Sequence, residues 1–113
     1  MSQQYPDTQL FLNGEWTDSL SKETLEIINP ATEEVIGKVS HARKEDLDLA
    51  LKGAENAFNE WKHVSAYDRS KILRKAADIV RSRADQIATL MTLEQGKPLA
   101  EAKGETLGAA DSI

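Results

Sequence analysis

The chain has 113 residues, no cysteine and a formal net charge of −5, with 40% hydrophobic and 29% charged residues. These figures describe ordinary globular material and exclude disulfides, thiolate metal sites and a cysteine nucleophile. Acids and bases are mixed along the chain, which is wrong for a nucleic-acid partner or an anionic membrane surface, since both call for a clustered basic stripe.

The opening MSQQYPDTQL is polar and lacks the charged and apolar regions of a signal peptide. No apolar run is long enough to span a bilayer. A soluble, cytoplasmic protein is therefore expected, with residues 1–9 a flexible terminus.

The first ordered signal is Leu10-Phe11-Leu12-Asn13-Gly14-Glu15-Trp16-Thr17. Asn13-Gly14 tolerates the positive φ angles of a type I′ turn, and apolar residues flank it, so a β-hairpin is predicted. Thr24–Ile28 and Val35–Val39 are short, apolar and partly β-branched, as strands are. Pro30 ends the first of them because it has no N–H to give a ladder. Residues 10–40 thus read as antiparallel strands in a meander.

After Ser40 the period changes. Leu47, Ala50, Leu51, Ala54, Ala57, Phe58 and Trp61 recur at three- and four-residue spacing and predict a helix with one apolar stripe. Ser65 is placed to cap a second helix, with Asp68 answering from its first turn. That helix carries Ile72, Leu73, Ala76, Ile79 and Val80, with a kink near Ser82–Ala84, then Ile87, Leu90 and Met91. Gly96 is read as a left-handed C-cap, and Pro98 as the first residue of a further helix. Leu99, Ala102, Leu107, Ala110 and Ile113 mark its apolar side. The pattern reaches Ile113 with no cap or turn signal, as in a chain cut inside a helix. The expected fold class is α+β: an N-terminal β-hairpin/meander, then three or four helices over residues 41–113.

The search for chemistry returns little. Gly14, Gly37, Gly53, Gly96, Gly104 and Gly108 form neither a G-x-G-x-x-G nor a P-loop spacing. His41 and His63 have no partner at metal-ligand spacing and read as surface residues. The carboxylate pairs Glu33/Glu34 and Glu45/Asp46 read as solvated charges, because adjacent residues do not converge on a reacting atom. Trp16 and Trp61 read as packing anchors. No catalytic and no cofactor-binding residue is assigned.

Two stretches carry a resemblance. LFLNGEW (Leu10–Trp16) followed by IINPAT (Ile27–Thr32) is similar to the opening of the NAD(P)-dependent aldehyde dehydrogenase superfamily. SAYDRSKILRKAADIVRSRADQIATLMTLEQGKPLAEAK (Ser65–Lys103) resembles the helical segment that follows in the same family, and MTLEQGKPLAEAKGE looks most like its succinate-semialdehyde dehydrogenase branch. Glu33 departs from the pattern, since the family commonly carries Gly in that turn; a positive φ there would strain Glu.

The resemblance implies an N-terminal fragment of a cofactor-binding domain within a larger α/β fold. The parent reaction it implies is oxidation of an aldehyde, such as succinate semialdehyde, to the carboxylic acid. A thiolate adds to the aldehyde, hydride passes to NAD or NADP, and water releases the acid. The family's Cys nucleophile, Glu base and oxyanion-stabilising Asn have no counterpart here, so the isolated chain is expected to be inactive and to bind no cofactor alone. Some relatives hold a monovalent cation with a carbonyl before the Asn-Pro pair and an acid before Gly-Lys-Pro; the matching positions are Ile28 and Glu94. The implied partner is the remainder of the dehydrogenase fold or a full-length homologue, in a parent that is a homo-oligomer. Two alternatives stand beside this: one half of a split enzyme, or a non-enzymatic module that binds full-length homologues.

Overall fold

The computed structural model describes residues 4–113. Residues 1–3 of the expected flexible terminus lie outside the described residues. Four strands precede four helices: β1 (Leu10–Leu12), β2 (Glu15–Thr17), β3 (Thr24–Ile28), β4 (Val35–Ser40), α1 (Lys44–Trp61), α2 (Ala66–Ser82), α3 (Ala84–Gln95) and α4 (Leu99–Ser112). The α+β class expected from the sequence is the class observed. The chain divides into a strand-rich unit, Pro6–Ile27 with Val35–Val64, and a helical unit of residues 4–5, Ile28–Glu34 and Ser65–Ile113.

In the strand-rich unit, β1 and β2 form an antiparallel ladder in the register Leu10↔Thr17, Phe11↔Trp16 and Leu12↔Glu15. Asn13 and Gly14 take φ of 53° and 82°, as the Asn-Gly turn requires. Phe11 and Trp16 face each other across the ladder, with ring centroids 5.0 Å apart and tilted by 51°. β3 and β4 pair in a second two-stranded sheet, so the strands associate two by two and β2 does not neighbour β3.

Part of the segment read as a loose terminus is tied down. Thr8 bridges to Val39 in parallel. The Thr8 N–H donates to the Lys38 carbonyl at 2.8 Å, and the Ser40 N–H donates to the Thr8 carbonyl at 2.8 Å. Asp7 Oδ1 accepts from the Lys38 N–H at 2.9 Å.

Asp46 is a correction to the sequence reading. It is not a solvated charge but is buried, with 2% of its surface exposed. One carboxylate oxygen accepts from the Arg43 N–H at 2.8 Å, closing the first turn of α1. The other accepts from the Leu20 N–H at 2.9 Å. Two backbone donors on one carboxylate favour its charged form. Its pKa is accordingly held below the ordinary aspartate value, first by the Arg43 bond and then by the Leu20 bond. The same group thus starts the helix and fixes the loop between β2 and β3.

In the helical unit, Ser65 caps α2 as expected: its Oγ accepts from the Asp68 N–H at 3.1 Å and donates to Asp68 Oδ2 at 2.8 Å. Arg83 separates α2 from α3, where the sequence placed a kink. Gly96 takes φ 73° and ends α3, its N–H donating to the Thr92 carbonyl at 2.9 Å. Pro98 does not open α4 as its first helical residue; it sits one place earlier as the N-cap, at φ −54° and ψ 135°. Its carbonyl still accepts from the Ala102 N–H at 3.0 Å.

The core of this unit is a seam of small residues. Ala77 of α2, Ala84 and Ala88 of α3, and Ala102, Thr106 and Ala110 of α4 are all buried. The last three are spaced by four and share one face of α4. The stripe read from the sequence shares Ala102 and Ala110 with that face, but its large members Leu99, Leu107 and Ile113 are exposed. Small side chains let two helices approach closely, which large ones at the same positions would prevent. Lys103 Nζ reaches Asp85 Oδ1 at 2.7 Å, and Arg81 Nη2 reaches Asp111 Oδ1 at 2.9 Å.

Trp16 and Trp61, expected as packing anchors, are exposed by 63% and 39%. Leu47, Leu51 and Phe58 of the α1 stripe are also exposed, as are Ile72 and Leu73 of α2.

Candidate functional site

The positions matched to a cation site, Ile28 and Glu94, both belong to the helical unit. Ile28 is the last residue of β3 and is half exposed. Its carbonyl leads into a turn organised by Asn29. The Asn29 side-chain oxygen accepts from the Ala31 N–H at 2.9 Å. The Asn29 carbonyl accepts from the Glu33 N–H at 2.8 Å, and the Asn29 N–H donates to the Glu34 carbonyl at 2.9 Å. Such an Asx turn explains Asn before Pro30: the side chain supplies an acceptor that the turn's backbone lacks. Glu33 takes φ 61°, so the left-handed position where the family commonly carries Gly is occupied here by a side chain.

Glu94 lies in the last turn of α3 and is exposed. Its Oε2 accepts a hydrogen bond from the Tyr5 hydroxyl. The Tyr5 hydroxyl is pushed up to about 12 from 10.0, first by burial and then by the bond to Glu94 and its charge. Tyr5 is a residue the sequence reading missed, because it lay in the stretch taken for a loose terminus.

The turn and the helix end meet at Pro30 and Gly96. A Cβ on Gly96 would lie 3.1 Å from Pro30 Cγ, so the bare glycine seats the proline ring. Ile28 and Glu94 each stand two residues from that contact. Both offer oxygen, the donor a hard cation takes. Two such oxygens are fewer than the shell of a hard cation, and no group of three or more His, Cys, Asp or Glu side chains is placed to hold a metal among the described residues.

A groove of about 560 Å³ between the β1–β2 hairpin and α1 is lined by Phe11, Asn13, Gly53 and Ala57, with Glu60 its one titratable group. His63 is exposed and His41 partly buried, the latter held by its backbone N–H on the Glu23 carbonyl at 2.8 Å. No helix among the described residues is long and apolar enough to cross a membrane.

Comparison with known proteins gives one consistent result. The profile of the "Aldehyde dehydrogenase family" matches residues 16–113. Aldehyde dehydrogenase 1 of Tanacetum cinerariifolium is 46% identical over 94% of this chain and 24% of its own length. Glutarate-semialdehyde dehydrogenase of Pseudomonas putida is 43% identical over 97% of this chain and 24% of its own. The solved NAD-dependent aldehyde dehydrogenase from Sinorhizobium meliloti superposes with a TM-score of 0.90 at 32% identity, covering 94% of this chain and 22% of that one. The chain therefore spans about a quarter of the length of these relatives.

Proposed function

The chain belongs to the aldehyde dehydrogenase family, and from that membership we propose that it is the N-terminal part of an enzyme oxidising an aldehyde to a carboxylic acid. The observation that carries this is the unfinished apolar surface. Leu47, Leu51 and Phe58 on α1, and Ile72 and Leu73 on α2, stand exposed at helical spacing. Side chains of that kind are ordinarily covered by further structure, here the remainder of the dehydrogenase fold or a full-length homologue.

Within that reading, this segment is scaffold. It has no cysteine, so a nucleophilic thiol comes from elsewhere in the protein, and none of its residues is assigned to the cofactor. NAD or NADP, when bound by the whole enzyme, supplies the hydride acceptor. Succinate semialdehyde is the substrate we favour, on the phrase MTLEQGKPLAEAKGE and on the glutarate-semialdehyde relative, whose named substrate also pairs an aldehyde with a distant carboxylate. The Ile28 carbonyl and the Glu94 carboxylate are proposed as part of a monovalent-cation site, supported by the Pro30–Gly96 contact between their segments. A cytoplasmic location is part of the same proposal, supported by the acidic, mixed-charge composition.

The test is reconstitution. The chain is co-expressed with the rest of a dehydrogenase fold, and the purified complex is assayed for aldehyde-dependent formation of NADH or NADPH. Activity that needs both parts, highest on succinate semialdehyde, is expected. A soluble complex inert towards every aldehyde would sink the enzymatic reading, leaving a non-enzymatic binding module.

A further inference from the structure

The turn that closes the first hairpin has chemistry of its own. Asn13 and Gly14 are both exposed. A side chain on Gly14 would meet nothing within 4 Å, and the Gly14 N–H donates to no backbone carbonyl among the described residues. A side-chain amide followed by an open, unengaged glycine N–H is the arrangement in which the next residue's backbone nitrogen attacks the asparagine side chain.

The other three asparagines lack it. Asn29 precedes Pro30, whose nitrogen has no proton to lose. Asn56 and Asn59 lie inside α1, where the next residue's N–H is committed to the helix.

We propose that Asn13 is a self-modification site. The Gly14 nitrogen, deprotonated by solvent base, bonds to the Asn13 side-chain carbonyl carbon. The carbon–Nδ2 bond breaks, and the amide nitrogen leaves as ammonia after taking a proton from water. Water then opens the five-membered imide at either carbonyl. One opening leaves aspartate at position 13; the other leaves isoaspartate, with the main chain rerouted through the side chain. No oxidant or reductant is involved.

The site has a structural consequence because Asn13 is also the hairpin's seat on α1. A Cβ on Gly53 would fall 1.8 Å from Asn13 Oδ1, so the amide occupies a notch that a side chain at residue 53 would contest. Conversion puts a full negative charge, or an extra backbone carbon, into that notch, and the hairpin tip is released from α1.

The experiment incubates the 113-residue chain in warm, mildly alkaline buffer made with ¹⁸O-water. Peptides are then mapped by mass spectrometry with enzymatic labelling of isoaspartate. A parallel sample is kept in guanidinium chloride. Expected is progressive loss of the intact Asn13 peptide in native buffer, with one ¹⁸O incorporated and isoaspartate present, while the Asn29, Asn56 and Asn59 peptides stay whole. Asn13 remaining intact in native buffer overturns the proposal, whether or not it converts in denaturant. Conversion without isoaspartate overturns the imide route. Amide hydrogen exchange at Leu12 and Glu15 should quicken in the aged chain and in Asn13→Asp; unchanged exchange in both overturns the release of the hairpin.

Discussion

Gly96 and Pro30 meet at a point where a side chain would be crowded: a Cβ on Gly96 would lie 3.1 Å from the ring carbon of Pro30, and the glycine holds φ at 73°. The left-handed backbone and the close approach both favour glycine, for unrelated reasons. Gly96→Ala is therefore expected to destabilise the chain by about 1–2 kcal/mol for the left-handed residue alone, with the crowding of Pro30 added. Urea unfolding measures the sum. A loss well below that range would mean the turn and the helix end move apart freely.

Glu33 is the converse case. It holds φ at 61° with a side chain in place, so the strain is present in the native protein. Glu33→Gly should relieve it, less the backbone entropy that glycine loses on folding, for a net gain of about 1 kcal/mol. Unchanged or lower stability in urea would show that the turn tolerates the side chain without strain.

Asp46 gives a pH dependence with a definite sign. Its folded pKa is lowered below 3.8 by the Arg43 and Leu20 N–H bonds, so the unfolded chain takes up the proton first. The stabilisation is complete above the ordinary aspartate range and is lost as pH falls through the lower, folded value. Asp46→Asn should flatten that acid limb and speed amide exchange at Leu20. An acid transition identical in the variant would refute the role.

Tyr5 behaves oppositely. Its pKa is raised from 10.0 to about 12, so its contribution is intact below 10 and disappears as pH climbs through the folded value. Glu94→Gln removes the charge and should bring the Tyr5 titration down towards 10, read from phenolate absorbance against Tyr67. A Tyr5 titration that stays near 12 in Glu94→Gln would place the cause in burial alone.

The alanine seam predicts intolerance to added volume. Ala88 and Ala102 show no exposed surface, so Ala88→Leu or Ala102→Leu must push α3 and α4 apart, at about 1–3 kcal/mol. Enlarging Ala109, which faces solvent on the same helix, should change stability little. Equal effects at the two kinds of position would mean the seam is not tightly packed.

Much of this was legible beforehand where one residue dictates one local event. The Asn13-Gly14 turn, the Ser65 cap and the Gly96 helix end each follow from a φ preference or a side-chain acceptor, needing nothing distant. What escaped depended on partners far along the chain. Asp46 is bonded to Leu20, 26 residues away, and Tyr5 to Glu94, 89 residues away, so neither pairing has a local signature. On α4 the apolar pattern includes Ala102 and Ala110 but misses Thr106 and adds Leu99, Leu107 and Ile113, because hydrophobicity weights large side chains whereas the buried seam selects small ones. Ile28 and Glu94 came from likeness to a family, not from any spacing in this chain.

Helices that meet through alanines have a defined separation but little to lock them lengthwise, since short side chains interdigitate weakly. In the helical unit two exposed ion pairs, each weak on its own, bear on that lengthwise setting: Lys103 on Asp85 towards one end of α4, and Arg81 on Asp111 towards the other. Distance is thus set by what is small and buried, while what is charged and wet acts along the helix. The two respond to different surroundings, because salt screens exposed ion pairs and leaves close packing untouched. A rise in ionic strength is therefore expected to weaken the restraint along α4 while its spacing from α2 and α3 is kept.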